Sequence, residues 1–202
     1  MKLFKPPRFA KWIFPRYTWR FPVFDNSIFI TFDDGPHPDI TPFVLDLLKQ
    51  YEWKATFFCV GENIQKYPEI TARILSEGHV IGNHTQKHNH AFKVSAKTYI
   101  NSFHAFEAHT PSKLFRPPYG RLKPSLARYI AKTHHIVLWS WLSYDFNLTV
   151  SDQSILSEAK RVVPGDVIVL HDNPKITERQ KTLLPALFHQ WKTMGFNSKN
   201  LK

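Results

Sequence analysis

Intrachain disulfides are excluded by a single cysteine, Cys59, so the cysteine count offers no argument for an oxidising compartment. Within KATFFCV (54–60) it reads as a small buried apolar residue. Acidic residues are also scarce: 16 Asp and Glu stand against 27 Lys and Arg, a net charge of +11. A positive surface draws anionic partners, whether nucleic acid, lipid head groups or acidic polymers. No helix-turn-helix, zinc finger or aromatic-interleaved basic run accompanies the charge, so nucleic acid is not expected as a partner. Long apolar runs are missing as well; no stretch resembles a signal-peptide core or a membrane span. No repeat or linker divides the 202 residues, a length that suits one domain. Nothing identifies a protein partner or a compartment.

What is present begins with a basic, aromatic stretch. Residues 1–25 read as an N-terminal arm, in which Pro6, Pro7, Pro15 and Pro22 stop any long helix. The arm is expected to pack on the domain or stay loose. In an interfacial alternative, Lys2, Lys5, Arg8, Lys11, Arg16 and Arg20 meet an anionic membrane surface while Trp12, Phe14 and Trp19 insert. Residues 26–202 form the domain proper.

Strand-like runs rich in Ile, Val and Phe recur there: SIFITF (27–32), KATFFCV (54–60), HVIGNHT (79–85), KLFRP (113–117), HIVLWSWL (135–142) and DVIVLHD (166–172). Helical spacing fills the gaps, as in TPFVLDLLKQY, where Phe43, Val44, Leu47 and Leu48 share a face and Pro42 stands in the first turn. Strands alternating with helices over short connections predict an α/β sheet or barrel of parallel strands. Functional groups in such folds gather at the carboxyl ends of the strands. Asp33 and Asp34, His84 and His88, Arg116 to Gly120, Asp145, and His171 with Asp172 follow successive strands, so five polar clusters are expected on one rim.

Each cluster alone is ordinary. Asp33 and Asp34 could open a turn with Gly35 and Pro36, and His84 and His88 could be surface histidines. Together they suggest more. His84 and His88, at i and i+4, face the same way on a helical turn. With Asp34 they offer two nitrogens and a carboxylate, a set that suits a catalytic divalent ion, zinc or a neighbouring transition metal. Asp33, pointing to the other side of an extended chain, is then free to act as general base on water. Arg116 could hold a carboxylate such as Asp33 in place. Pro117 and Pro118 have no N–H, which leaves the Tyr119 amide free for an oxyanion. His171 is a candidate acid, and Asp145 could orient it and raise its pKa.

TFDDGPH, HTQKH, RPPYG, SYDF and VLHD, in this order and spacing, resemble the five motifs of the NodB-homology polysaccharide deacetylases, the family 4 carbohydrate esterases. The resemblance spans about residues 26 to 190 and implies a distorted (β/α) barrel in a single domain. Position by position it implies Asp33 as base; Asp34, His84 and His88 as metal ligands; and Arg116 as the partner of Asp33. It further implies the Tyr119 amide at the oxyanion and His171 as acid supported by Asp145. The family's fourth motif usually reads D-x-x-D-W; Leu142 and Phe146 replace its first acid and its tryptophan here. Val169 replaces the usual leucine of the fifth.

The function so implied is removal of acetyl from N-acetylglucosamine-type units of peptidoglycan, chitooligosaccharide or a lipid-linked glycan, which points to the cell envelope. The expected cofactor is zinc, with cobalt, manganese or nickel as alternatives. Two rival readings are hydrolysis of a non-sugar carbon–nitrogen bond and a degenerate carbohydrate-binding module.

Overall fold

The computed structural model describes residues 3–7 and 9–202, with the side chain of Lys11 left aside. In chain order the elements are α1 (Ala10–Ile13), β1 (Tyr17–Thr18), β2 (Ser27–Asp33), α2 (Thr41–Gln50), β3 (Thr56–Cys59), α3 (Gly61–Lys66), α4 (Pro68–Ser76), β4 (Val80–Asn83), α5 (Ala96–His109), β5 (Leu114–Phe115), α6 (Pro124–Ile130), β6 (His135–Val137), β7 (Trp141–Leu142), α7 (Asp152–Ala159), β8 (Val167–His171), α8 (Thr177–Thr193) and β9 (Asn197–Ser198). Short 3-10 turns span Pro118–Gly120 and Pro174–Ile176. The strands pair in the order β1-β6-β5-β4-β3-β2-β8-β7, with β9 on β2, and every ladder is parallel.

β2 is buried along its whole length because both of its faces are covered. Ile28, Ile30 and Phe32 pack outward with Val44 and Leu48 of α2 and Leu184 and Leu187 of α8. Phe29 joins Phe58, Leu114, Val137 and Val167 in a separate inner cluster. This period-two division sends Thr31 and Asp33 to the inner side, along with Phe29. Helix ends follow local chemistry: Ser95 and Ser151 cap α5 and α7 by accepting the N–H groups of Thr98 and Ser154. Pro68 separates α3 from α4 within one periodic stretch, since the residue before a proline is forced out of the helical region.

The barrel is open rather than closed. The run HIVLWSWL is two strands, not one: β6 lies near one edge of the sheet and β7 forms the other. Residues 138–140 carry the chain across the gap, and no ladder joins β7 to β1 among the described residues.

The N-terminal stretch bridges the same gap. β1 pairs with β6, Leu138 donates its N–H to the Thr18 carbonyl, and Leu142 on the opposite edge donates to the Phe4 carbonyl. Exposed sheet edges are thereby covered. Lys2 and Arg8 lie outside the described residues. Lys5 and Arg20 turn inward, 3.1 and 3.0 Å from the buried Asp166 carboxylate, and Trp19 is buried, so these three do not face a membrane as the interfacial alternative requires. Trp12, 87% exposed, remains on the surface with Phe14. Cys59 is buried and unpaired, and burial pushes its thiol pKa up.

Candidate active site

Strand register assembles the site. Asp33, last in β2, is paired with Phe58 on β3 and His171 on β8; Asn83, last in β4, is paired with Cys59 and Phe115. The polar clusters therefore leave the sheet at one level. Asp33, Asp34, His84, His88, Tyr119 and His171 line one cavity of about 620 Å³. Arg116 and Asp145 stand behind its wall, fully buried.

Arg116 is held at every corner. Its Nη1 donates to Asp33 Oδ1 and Thr31 Oγ1, both at 2.6 Å, while Nε and Nη2 donate to the Val137 and Leu138 carbonyls. Its guanidinium lies 4.1 Å from the centre of the Phe58 ring. A charge taken fully out of water needs this degree of pairing. Asp33 is thereby fixed with one oxygen engaged.

Asp34, with φ at 83°, turns its side chain away from the strand pattern. Its Oδ1 lies 3.1 Å from His88 Nε2 and 3.7 Å from His84 Nε2. Burial raises the Asp34 pKa, but the His88 hydrogen bond and the charges of His171, His84 and His88 outweigh it and hold the carboxyl below its usual range. His84 Nδ1 is 2.7 Å from the Arg116 carbonyl. A carbonyl only accepts, so Nδ1 carries the proton and the Nε2 lone pair faces Asp34. Burial lowers the His84 pKa to about 4, which keeps the ring neutral and able to ligate.

One ligand atom from each of Asp34, His84 and His88 lies within 4.8 Å of the others. Two nitrogens and one oxygen, with the tautomer of one ring already set, fit a divalent transition ion with open positions. The helical turn expected between the histidines is absent. Thr85 and His88 have φ of 66° and 50°, and a loop brings the rings together, tied by Thr85 N–H to Asn83 Oδ1 at 2.7 Å.

His171 is held from the other side. Its Nδ1 lies 2.7 Å from Asp145 Oδ1, and its N–H donates to Asp145 Oδ2 at 2.8 Å. Burial lowers the pKa of the ring, but Asp145, then Asp34 and Asp33, outweigh it and raise it to about 9. Phe146, 47% exposed, sets its ring edge-on to His171 at 4.9 Å. With Leu142, Trp139 and Val169 it makes the apolar side of the cavity. Tyr119, at φ 61°, keeps its N–H free of acceptors among the described residues, and its ring lies 4.7 Å from that of His88.

Several residues that shape the site escaped the sequence reading. Asn63 Nδ2 donates to the Asp34 carbonyl at 2.7 Å and Asn173 Nδ2 to Asp34 Oδ2 at 3.1 Å. Gln180 Nε2 donates to both Asp145 Oδ2 and the His171 carbonyl at 2.6 Å. Asp172, already placed on the rim by the sequence, accepts the Gly35 N–H at 3.0 Å, and a Cβ on residue 35 would lie 2.0 Å from its Oδ2, so the turn after Asp34 requires glycine. Of the missed Asn63, Asn173 and Gln180, only Asn173, two residues past His171, had a signal, its nearness to a motif.

Residues 22–138 match the family model described as polysaccharide deacetylase. The chain belongs to the polysaccharide deacetylase family. A peptidoglycan-N-acetylglucosamine deacetylase of Bacillus cereus is 38% identical over 165 residues; this deacetylase-family chain supplies 78% of its own length and spans 60% of that relative. A chitooligosaccharide deacetylase of a Bradyrhizobium species is 33% identical over 166 residues, 78% of this chain and 76% of that one. The crystal structure of a peptidoglycan N-acetylglucosamine deacetylase superposes with a TM-score of 0.85 at 34% identity, over 97% of this chain and 95% of that one. That superposition extends past residue 138, where the family match ends, into the part that carries Asp145 and His171.

Proposed function

We propose that this chain is a metal-dependent N-deacetylase that releases acetate from N-acetylglucosamine-type units of a glycan; deacetylation of such glycans is what the names of its relatives state for them. The carrying observation is the division of labour between adjacent aspartates. Asp34 faces His84 and His88, while Asp33 is held by Arg116 opposite His171.

Asp34, His84 and His88 would hold the ion, which supplies Lewis acidity toward a carbonyl and lowers the pKa of water. Asp33 accepts the proton of the attacking water at Oδ2, because Oδ1 is taken by Arg116. The water oxygen bonds to the acetamide carbon, and the Tyr119 N–H donates to the oxygen that gains charge. His171 gives a proton to the nitrogen as the carbon–nitrogen bond breaks, leaving acetate and the free amine. Its raised pKa keeps that proton in place at neutral pH, and Asp145 on Nδ1 directs Nε2 into the cavity.

Acetate release from N-acetylated chitooligosaccharides and from peptidoglycan, with and without chelator and with zinc, cobalt or manganese restored, tests this reading. Release from a simple non-sugar acetamide at an equal rate, or binding without release, would favour the rival readings instead.

A further inference from the structure

The N-terminal stretch carries more charge than its bridging role uses. Residues 1–24 hold six Lys or Arg and no Asp or Glu, so more than half of the chain's net +11 lies in them. Lys5 and Arg20 are paired with the buried Asp166. Arg16 is exposed and makes no ion pair among the described residues.

The same stretch turns large apolar side chains outward. Phe9 is helical in conformation, with φ −70° and ψ −17°, and leads into α1. Phe9, Trp12 and Ile13 therefore stand at i, i+3 and i+4, on one face of the turn. Phe9 and Ile13 are each 60% exposed and Trp12 is 87% exposed. The side turned to the domain is small: Ala10 is buried with Trp19 and Leu138. A turn that only had to cover the sheet edge would bury its large residues and expose the small one. Large apolar side chains exposed together mark an interaction surface.

Charge selects the partner. A second copy meeting through this face would set two acid-free cationic stretches against each other, since a two-fold interface joins like patches. An anionic lipid surface meets both demands. Its acyl boundary takes up Trp, Phe and Ile, and its head groups pair with Lys and Arg. Among the described residues no helix is long and apolar enough to cross a membrane, so the contact in question is with the surface.

We propose that the α1 face made by Phe9, Trp12 and Ile13, with Arg16 at the head groups, docks the protein on an anionic phospholipid bilayer. Trp19, Lys5 and Arg20 stay with the fold, and Phe9 and Ile13 take their place at the interface. Ala10 roots the turn in a cluster that Trp139 also joins, and Trp139 lines the catalytic cavity, so docking brings that cavity to the bilayer surface. The proposal does not depend on the deacetylase reading.

The test is sedimentation of the full chain with vesicles of phosphatidylcholine, with and without phosphatidylglycerol, at low and high salt. Wild type should bind the anionic vesicles and not the neutral ones, and binding should weaken at high salt. Arg16→Gln should weaken binding roughly fivefold, the effect of one cation near an anionic surface. Trp12→Ala with Ile13→Ala should weaken it roughly tenfold or more, and both variants should keep wild-type stability because these side chains are exposed. Lys192→Gln, at the far end of α8, should behave as wild type. Tryptophan emission should shift to the blue on anionic vesicles, and Trp12→Phe should remove that shift. Equal binding to both vesicle types, binding to neither, or anionic binding without the Trp12 shift would overturn the proposal. A dimer dissolved by Trp12→Ala, with no vesicle binding, would overturn it in favour of a second copy.

Discussion

Asp33 and His171 are register partners, the last of five pairs in the β2–β8 ladder. Partners in a ladder point to the same side of the sheet, so the proposed base and acid are set by strand geometry rather than by loops. Each is then locked by its own buried counter-ion, Arg116 for Asp33 and Asp145 for His171. Two groups of opposite proton demand thus face one cavity from adjacent strands.

Asp33→Asn removes the proton acceptor and keeps the shape. Turnover should fall by about 10²–10⁴-fold, the usual scale of general-base loss. Zinc content, read by elemental analysis, should stay at the wild-type level because Asp34, His84 and His88 are untouched. Loss of zinc instead would mean that the two aspartates have exchanged roles.

Metal binding should depend on the hydrogen bonds behind the ligands as well as on the ligands. His88→Ala should abolish stoichiometric zinc binding. Asn173→Ala, which frees Asp34 Oδ2, should weaken zinc affinity by roughly 10-fold or more, the effect typical of groups that orient a ligand. Competition with a chromophoric chelator measures both, and unchanged affinity in Asn173→Ala would remove that residue from the site.

Much of this was legible in the sequence, for an identifiable reason. Strand termini are marked by an abrupt change from Ile, Val and Phe to Asp, His or Arg, and parallel α/β folds bring such termini together. Asp33, Asp34, His84, His88, Tyr119 and His171 were readable on that basis and do meet. The backbone between the histidines was not, because i, i+4 spacing is shared by a helical turn and by a loop with two left-handed residues. Gln180 was not legible either: a glutamine nine residues past His171, inside an amphipathic helix, looks like any surface polar group until the helix is docked. The N-terminal stretch was legible only in outline. Its prolines and charges left open whether it packs on the domain or stays loose, and the way its Phe4 carbonyl and β1 bridge the open edges of the barrel is a long-range role that local composition does not encode.

That role gives a stability prediction. Phe4 packs against Trp141 at 6.1 Å and Tyr144 at 5.2 Å between ring centres. Phe4→Ala should destabilise the fold by about 3 kcal/mol, the lower range for a buried phenylalanine. Deleting residues 1–20 should lower stability further, because Asp166 is left buried without Lys5 and Arg20. Denaturant titration checks both. A truncated protein with wild-type stability would show that the stretch contributes nothing to the fold, the loose one of the two arrangements its composition left open.

The final prediction concerns protons on His171. Its folded pKa, about 9, lies above the unfolded value of 6.5. The protonated form is therefore favoured by folding, and this contribution to stability is fully present below pH 6.5 and lost as pH rises through 9. Asp145→Asn removes the carboxylate that opposes the desolvation of the ring, with little change in volume. In metal-free protein, the decline of stability between pH 6.5 and 9 should become shallower in the variant, and the His171 resonance should titrate at lower pH. In the metal-loaded enzyme the alkaline limb of the pH–rate profile should move toward acid and maximal turnover should drop, since less of the acid is protonated at any given pH. The acidic limb should move much less. An alkaline limb that stays in place while the acidic limb shifts would show that Asp145 does not govern His171, despite the 2.7 Å contact between them.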